Sequence, residues 1–100
     1  MRLWRGLVRP RGSIPAVKPI RFTAHARAQM AERGTDEAEV TEPIRQGERR
    51  AAKRGRWAYR RNFRYDDVWG DRAHAIKQVL AIVAHEPERL IVVTVYTFYF

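Results

Sequence analysis

His25 is the residue of this sequence best suited to acid–base chemistry. It follows Thr23, a good helix N-cap, and falls in the first turn of a helix predicted over residues 24–33. The positive end of the helix dipole disfavours an imidazolium ion there, so a neutral imidazole near the surface can act as a general base. The alternative is that His25 only packs against or caps the first turn, the commoner role for a lone histidine.

A basic segment later in the chain has the composition of a phosphate-binding surface. It contains eight Lys and Arg residues and no acid between Arg49 and Arg64. Cations bind phosphates, and aromatic rings or guanidinium planes stack on bases. We predict that the nucleic-acid-binding residues are Arg49, Arg50, Lys53, Arg54, Arg56, Arg60 and Arg64. The interleaved Trp57, Tyr59 and Phe63 are better explained as core residues.

The charge balance indicates an anionic partner. Twenty Lys and Arg against eleven Asp and Glu give a net charge of +9, and seventeen of the twenty lie at or before Arg64. Such a field favours nucleic acid, an anionic membrane surface or an acidic protein. The absence of cysteine excludes disulfides, thiolate zinc sites and thiol nucleophiles. The acids of residues 66–71 lack the spacing of a calcium loop, so we expect no metal and no cofactor.

The chain divides into a basic flexible arm, residues 1–19, and a single α+β domain, residues 20–100. The arm carries arginines, Pro10, Gly12 and Pro15 without helical or strand periodicity. Arginines stand where a signal peptide needs an apolar core, so we expect a cytoplasmic protein. No apolar run reaches the roughly 20 residues of a membrane span, so we expect no membrane insertion.

Two short helices are predicted at the start of the domain. The first ends at Gly34, which suits a left-handed C-terminal cap. The second is predicted to be capped by Thr35 and to end near Gly47. Pro43 lies inside it and removes one hydrogen bond, so we expect a kink or an early stop there.

An antiparallel sheet of three to four strands is predicted to follow the helices. Residues 57–65 alternate between a core face and a basic face, which is typical of a strand. Residues 66–71 are predicted to form a loop. Residues 76–85 and 90–100 form two further strands, joined by a turn at Pro87. The last strand is apolar on both faces, so we expect it at the centre of the sheet with cover on both sides.

Several short fragments in a fixed order resemble one bacterial family. They are Phe22-Thr23-x-His25-Ala26, Met30, Arg33-Gly34, Val40, Ile44, Gly47-Glu48 and Val93-Thr94-Val95-Tyr96. Together they resemble the family catalogued as domain of unknown function 4258, from about Ile20 to the end of the chain. The resemblance implies a fold similar to the RelE/ParE-like toxins, with two N-terminal helices packed on an antiparallel sheet. Gln29 departs from the pattern, since the family usually has arginine there.

The resemblance implies a toxin-like protein directed at RNA, a metal-independent ribonuclease of a toxin–antitoxin type system. Carried over residue by residue, the catalytic candidates are His25, Arg33, Thr94 and Tyr96. His25 would act as base or acid, and Tyr96 would position the substrate or donate a proton. Phosphorane charge would be stabilised by Arg33, Arg60 or Arg64. The expected partners are RNA and an acidic antitoxin protein.

Two alternatives remain open at this level. A non-catalytic module that binds nucleic acid or an acidic protein requires only the basic segment and the arm. A toxin that inhibits its target by binding alone requires no chemistry at His25. The sequence does not choose between RNA, DNA and protein as the target, and the fold by itself does not decide function.

Overall fold

The structure, a computed structural model, describes residues 18–100, and its elements confirm the α+β class. The elements are β1 (Ile20–Phe22), α1 (Ala24–Arg33), α2 (Glu37–Gln46), β2 (Glu48–Ala51), a 3₁₀ turn (Lys53–Gly55), β3 (Trp57–Trp69), β4 (Arg72–His85) and β5 (Leu90–Tyr99). The arm predicted for residues 1–19 lies outside the described residues except for Lys18 and Pro19. Both are bonded into the domain, because Lys18 donates to the Glu86 carbonyl and Pro19 accepts from Leu90.

The sheet has five strands in the order β1-β5-β4-β3-β2, and it is mixed. Strand β1 runs parallel to β5, with Ile20 opposite Leu90, whereas the other three pairings are antiparallel. The predicted count of three to four strands is therefore wrong, and the predicted antiparallel pairing is confirmed for β3, β4 and β5 but does not extend to β1. Strand β2 escaped prediction because its sequence, Glu-Arg-Arg-Ala, is exposed throughout and has no apolar alternation.

Both helices pack on one face of the sheet, and the core lies between the two layers. Its buried apolar residues are Ala26, Met30, Val40, Ile44, Tyr59, Val79, Ala81, Val83, Leu90, Val92 and Val95. The predicted core residues Trp57 and Phe63 pack against this cluster while remaining partly exposed, and so does Phe22. We refer to the opposite side, which residues 18–100 do not cover with a second layer, as the open face.

A side-chain cap defines the N-terminus of each helix, and one of the two predicted caps is wrong. Thr23 caps α1 as predicted, since its hydroxyl accepts from the backbone N–H of Ala26 at 3.0 Å. Helix α2 is capped by Asp36 rather than by Thr35, because the Asp36 carboxylate accepts from Glu39 at 2.9 Å. An early stop at Pro43 does not occur, and the helix continues to Gln46.

The β3–β4 hairpin is longer than the sequence predicts. Residues 66–69 belong to β3 instead of a loop, and β4 begins at Arg72, so only Gly70 and Asp71 form the turn. A register shift between Arg64 and Asp67 interrupts the alternation. The hairpin brings Trp69 onto Tyr99, with ring centroids 4.8 Å apart, and onto Gly34, where an added Cβ would lie 2.4 Å from the Trp69 ring.

Strand β5 lies inside the sheet, as its composition predicts, but β4 is the central strand. The expectation of cover on both sides holds only for one side within residues 18–100. Val92 and Val95 are buried beneath the helices, whereas Tyr96 and Phe98 keep 39% and 42% of their surface exposed on the open face. The part of the chain that the structure describes thus leaves these apolar side chains of the open face uncovered.

A buried lysine joins the two helices to the sheet. Lys77 of β4 is only 5% exposed, and its ammonium donates to the Gly34 carbonyl at the end of α1 at 2.5 Å. It also forms an ion pair with Glu39 of α2 at 2.6 Å. The Tyr65 and Tyr99 rings lie within 6 Å of the ammonium. A cation at a helix C-terminus is favoured by the helix dipole, and a buried charge requires such partners.

We expect the substitution Glu39→Gln to lower the free energy of unfolding by about 2 to 3 kcal/mol, because it leaves the Lys77 charge buried without its carboxylate. The loss should be smaller than for a fully buried pair, since the Glu39 side chain is 27% exposed. Urea denaturation measures the change. The matched control is Glu42→Gln, the same substitution in the same helix, and equal midpoints for the two variants would contradict the prediction.

His85 at the end of β4 is expected to make stability depend on pH. Partial desolvation beside the Trp57 and Tyr59 rings lowers its pKa, and the charges of Lys18 and Arg49 lower it further. The unfolded chain therefore binds the proton more readily than the folded protein does. Stability should fall as the pH drops below the unfolded value of about 6.5 and level off below the lowered pKa.

The variant His85→Gln tests this by removing the titration while keeping an acceptor for the Tyr59 hydroxyl, which lies 2.7 Å from Nε2. The free energy of unfolding should fall less between pH 7.5 and pH 5 in the variant than in the parent chain. Parallel pH profiles for the two proteins would show that His85 contributes nothing.

Candidate functional site: the open face of the sheet

The open face carries three rows of cross-strand neighbours that run across the sheet to β5. Arginines lie toward the β2 edge and exposed apolar or aromatic residues lie toward β5. The rows are Arg50–Ala58–Ile82–Thr94, Glu48–Arg60–Leu80–Tyr96 and Asn62–Gln78–Phe98. Because successive residues of a strand point to opposite faces, the same alternation that buries Tyr59 and Val79 turns these residues outward.

A cavity of about 680 Å³ lies on this face. Its floor is apolar, with Ala58, Leu80 and Phe98, and its rim carries Arg49, Arg50 and Arg60 together with Glu48 and Gln78. We refer to it as the first cavity. An apolar floor with a few polar groups at the rim is the usual constitution of a small-molecule or nucleotide subsite.

A second, more polar cavity of about 390 Å³ adjoins the first. We refer to it as the second cavity; it is lined by Gln46, Gly47, Glu48, Arg60, Arg61, Asn62 and Gln78. Gly47 allows the end of α2 to approach β3 closely, because a Cβ there would lie 2.4 Å from the Arg60 carbonyl oxygen. That approach places the next residue, Glu48, beside Arg60.

Glu48 and Arg60 form an ion pair at the boundary of the two cavities. The Arg60 guanidinium donates to a Glu48 carboxylate oxygen at 2.8 Å, and both side chains are well exposed. The hydrogen bond and charge of Arg60 hold the pKa of Glu48 below its usual range, so Glu48 is an anion at neutral pH. The charge of Arg60 is therefore already paired with a carboxylate of the same chain.

The other predicted cations fall into two groups. Arg49 stacks over the Trp57 ring at 4.4 Å, and Arg64 forms an ion pair with Asp66 at 2.8 Å. Lys53, Arg54 and Arg56 surround the turn between β2 and β3, at the end of the sheet where Ala51 pairs with Trp57. Arg50 and Arg60 are thus the predicted cations that point onto the open face beside the apolar floor.

Three of the four catalytic candidates lie around one edge of β5. The guanidinium of Arg33 donates to the Val95 carbonyl at 2.5 Å and lies over the Tyr96 ring, 5.2 Å from its centroid. Thr94 and Tyr96 are alternate residues of β5 and both face the open side. The structure therefore brings Arg33 and Tyr96 into contact, with Thr94 two residues from Tyr96 on the same face of β5.

His25 stands apart from that group. Its ring is exposed on α1 and makes no hydrogen bond or ion pair with other residues in the range 18–100. Eight residues separate His25 from Arg33, which corresponds to about 12 Å along the helix axis. Since the Arg33 guanidinium is directed at β5, His25 does not share a contact with Arg33 or Tyr96.

Gln29, which replaces the arginine usual in the resembling family, is a structural residue here. It is buried, and its side-chain oxygen accepts from the backbone N–H of Val95 at 2.8 Å. Glu48, Gln78 and Phe98 are site residues that sequence reasoning missed. The sequence offers a clue for Phe98, since it alternates with Tyr96 on one face of an apolar strand. Only the strand register shows that this face also carries Arg60.

No group of three or more His, Asp and Glu side chains within residues 18–100 is arranged to hold a metal ion. In the same part of the chain, neither helix has the length and apolar character needed to cross a membrane. The side chains available for chemistry on the open face are guanidinium, carboxylate, amide, hydroxyl and phenol groups. They can bind phosphate, pair with base edges and transfer protons.

Comparisons with known proteins identify one family. No curated protein and no solved structure matches the chain. A family model, described as domain of unknown function (DUF4258), matches residues 22–97. That range runs from the end of β1 to the last strand, and it includes both helices and, apart from Phe98, the three rows of the open face. The chain therefore belongs to the DUF4258 family.

Proposed function

We propose that this protein binds single-stranded RNA on the open face of its sheet. The observation that carries the proposal is the cross-strand row of Arg60, Leu80 and Tyr96, which joins an arginine to an exposed aromatic residue. Arg50 and the exposed Phe98 lie in the rows on either side of it. Phosphates require the cations, and unstacked bases require the rings, so a single strand satisfies both requirements. A base-paired duplex would bury its bases and leave Tyr96 and Phe98 without a role.

Charge and shape support RNA over an apolar ligand. The net charge of +9 attracts a polyanion, and Arg50 and Arg60 lie at the cavity rim around an apolar floor. Aromatic residues on an open sheet surface are a common means of stacking bases of single-stranded RNA. As parts of the same proposal we retain the RelE/ParE-like fold and the cytoplasmic location expected from the sequence.

The variant Arg50→Ala tests RNA binding most directly, because Arg50 lines the first cavity and forms no ion pair within residues 18–100. We expect weaker binding of an unstructured RNA oligonucleotide, with the slope of log affinity against log salt reduced by roughly 0.7 for one lost phosphate contact. Fluorescence polarisation over a salt series measures both quantities.

The control is Arg72→Ala, which removes the same charge at the tip of the β3–β4 hairpin, away from both cavities. Equal losses in the two variants would show that charge alone, and not the open face, carries the binding. Affinity that does not respond to salt would refute nucleic-acid binding altogether. Equal affinity for single-stranded DNA of the same sequence would extend the ligand class to both nucleic acids.

Metal-independent cleavage of the bound RNA is a second candidate function. It is favoured by the Arg33–Tyr96 contact, which holds a guanidinium and a phenol together at the edge of the open face. Such a pair can stabilise phosphorane charge and donate a proton to the leaving 5′-oxygen, while the proton of the 2′-hydroxyl passes to solvent, because His25 lies about 12 Å along α1 from Arg33. An acidic antitoxin protein that covers the basic open face belongs to this candidate as a partner.

Incubation of purified protein with total bacterial RNA, with and without a chelator, tests cleavage. We expect cleavage to survive chelation and to be lost in Tyr96→Phe, which removes the phenol proton, while RNA affinity stays nearly unchanged because the ring is kept. Cleavage that persists in Tyr96→Phe at the parent rate would remove the phenol from the mechanism, and loss of cleavage in His25→Ala would return His25 to it. Binding without any cleavage would leave RNA binding as the whole function.

A further inference from the structure

Two adjoining cavities on one face raise the question of which part of an RNA strand each holds. Glu48, Arg60 and Gln78 line both, so the cavities are continuous at these three residues. A ligand that fills both must pass over Arg60. Given the proposed RNA binding on which this depends, we infer that the cavities take two consecutive nucleotides, with their linking phosphate on Arg60 in place of Glu48.

The first cavity suits a base. Phe98 is 42% exposed, and Leu80 and Ala58 continue the apolar surface beside it. A base that stacks on Phe98 would remain within reach of the Gln78 amide, since Gln78 is the cross-strand neighbour of Phe98. One N–H of that amide already donates to Asn62 at 2.8 Å. The carbonyl oxygen and the remaining N–H can pair with a base edge.

The second cavity suits the polar part of the neighbouring nucleotide. Its lining offers the amides of Gln46, Asn62 and Gln78 and has no apolar floor. Hydroxyls of ribose and polar base edges pair with such amides, whereas stacking is not available there. The two cavities therefore differ in what they recognise, which sets the strand in one register relative to Arg60.

Arg60 lies where the linking phosphate must pass. Its guanidinium points onto the open face and binds an oxyanion already, the Glu48 carboxylate, at 2.8 Å. Glu48 is the single acid among the residues that line either cavity. Two oxygens of a phosphate can accept hydrogen bonds from guanidinium as the two oxygens of a carboxylate can, so phosphate and Glu48 compete for Arg60. Because the ion pair is exposed, exchange costs little.

The substitution Glu48→Gln tests this exchange with an unstructured RNA dodecamer in fluorescence polarisation. Because Arg60 then has no carboxylate partner, the variant should bind RNA about threefold more tightly than the parent protein does. The matched control is Glu88→Gln, which removes an equal charge in the β4–β5 turn, outside both cavities. The gain should exceed that of the control, and it should vanish when Arg60→Ala is added, because it acts through Arg60.

Base stacking in the first cavity has its own pair of variants. Phe98→Leu keeps an apolar side chain and loses the ring, so affinity should fall about fivefold or more with an unchanged salt slope. Phe98→Tyr keeps the ring and should retain the parent affinity. Equal RNA affinities of Phe98→Leu and Phe98→Tyr would show that no base stacks in this cavity and would overturn the assigned register.

The outcomes separate the two proposals. RNA binding by the parent protein with equal affinities for Glu48→Gln and Glu88→Gln would overturn the exchange at Arg60 and leave RNA binding on the open face intact. No RNA binding by the parent protein would refute both. A gain in Glu48→Gln for a polyglutamate peptide that exceeds the gain for RNA would identify an acidic protein as the occupant and overturn the inference.

Discussion

The Lys77 ammonium is the group on which the two-layer arrangement depends. A charge on the central strand, 5% exposed, is tolerated only because α1 ends on it with the Gly34 carbonyl and α2 presents Glu39 to it. Burial of an ion without such partners costs several kcal/mol. The ends of both helices are therefore fixed relative to β4. Tyr99 completes the cluster: its hydroxyl donates to the Arg33 carbonyl, and burial raises the pKa of the phenol, which keeps that donor protonated.

A second constraint acts at the outer edge of β5. Strand β1 pairs only with the first residues of β5, so within residues 18–100 the backbone of Val95 has no neighbouring strand on that side. Side chains of helix α1 form hydrogen bonds with these backbone groups, since Gln29 accepts from the Val95 N–H and Arg33 donates to the Val95 carbonyl. Buried backbone groups must be paired, and two side chains replace the missing strand. The same contact brings the Arg33 guanidinium around the edge to Tyr96, which links the helix layer to the open face.

These two constraints leave the open face free to bind. The helices pack on one face of the sheet. Because side chains alternate along each strand, the arginines of β2 and β3 and the aromatic residues of β5 lie on the other face. Neither group is distinctive alone, since arginines are common on surfaces and aromatic residues are common in cores. Their adjacency across β4, with an apolar floor between them, is what makes the face chemically specific.

The sequence by itself determined the α+β class, the first helix with its Thr23 cap and Gly34 terminus, and β5 as an internal strand. Each depends on local chemistry: capping, helix propensity, or β-branched and aromatic composition. It also identified the basic segment, because charge is visible without a fold. Only the tertiary structure decided the five-strand mixed order, the long β3–β4 hairpin, the role of Gln29 and the separation of His25 from Arg33 and Tyr96. Those features depend on pairing between residues distant in sequence, and strand register alone places Glu48, Arg60, Leu80 and Tyr96 in one row.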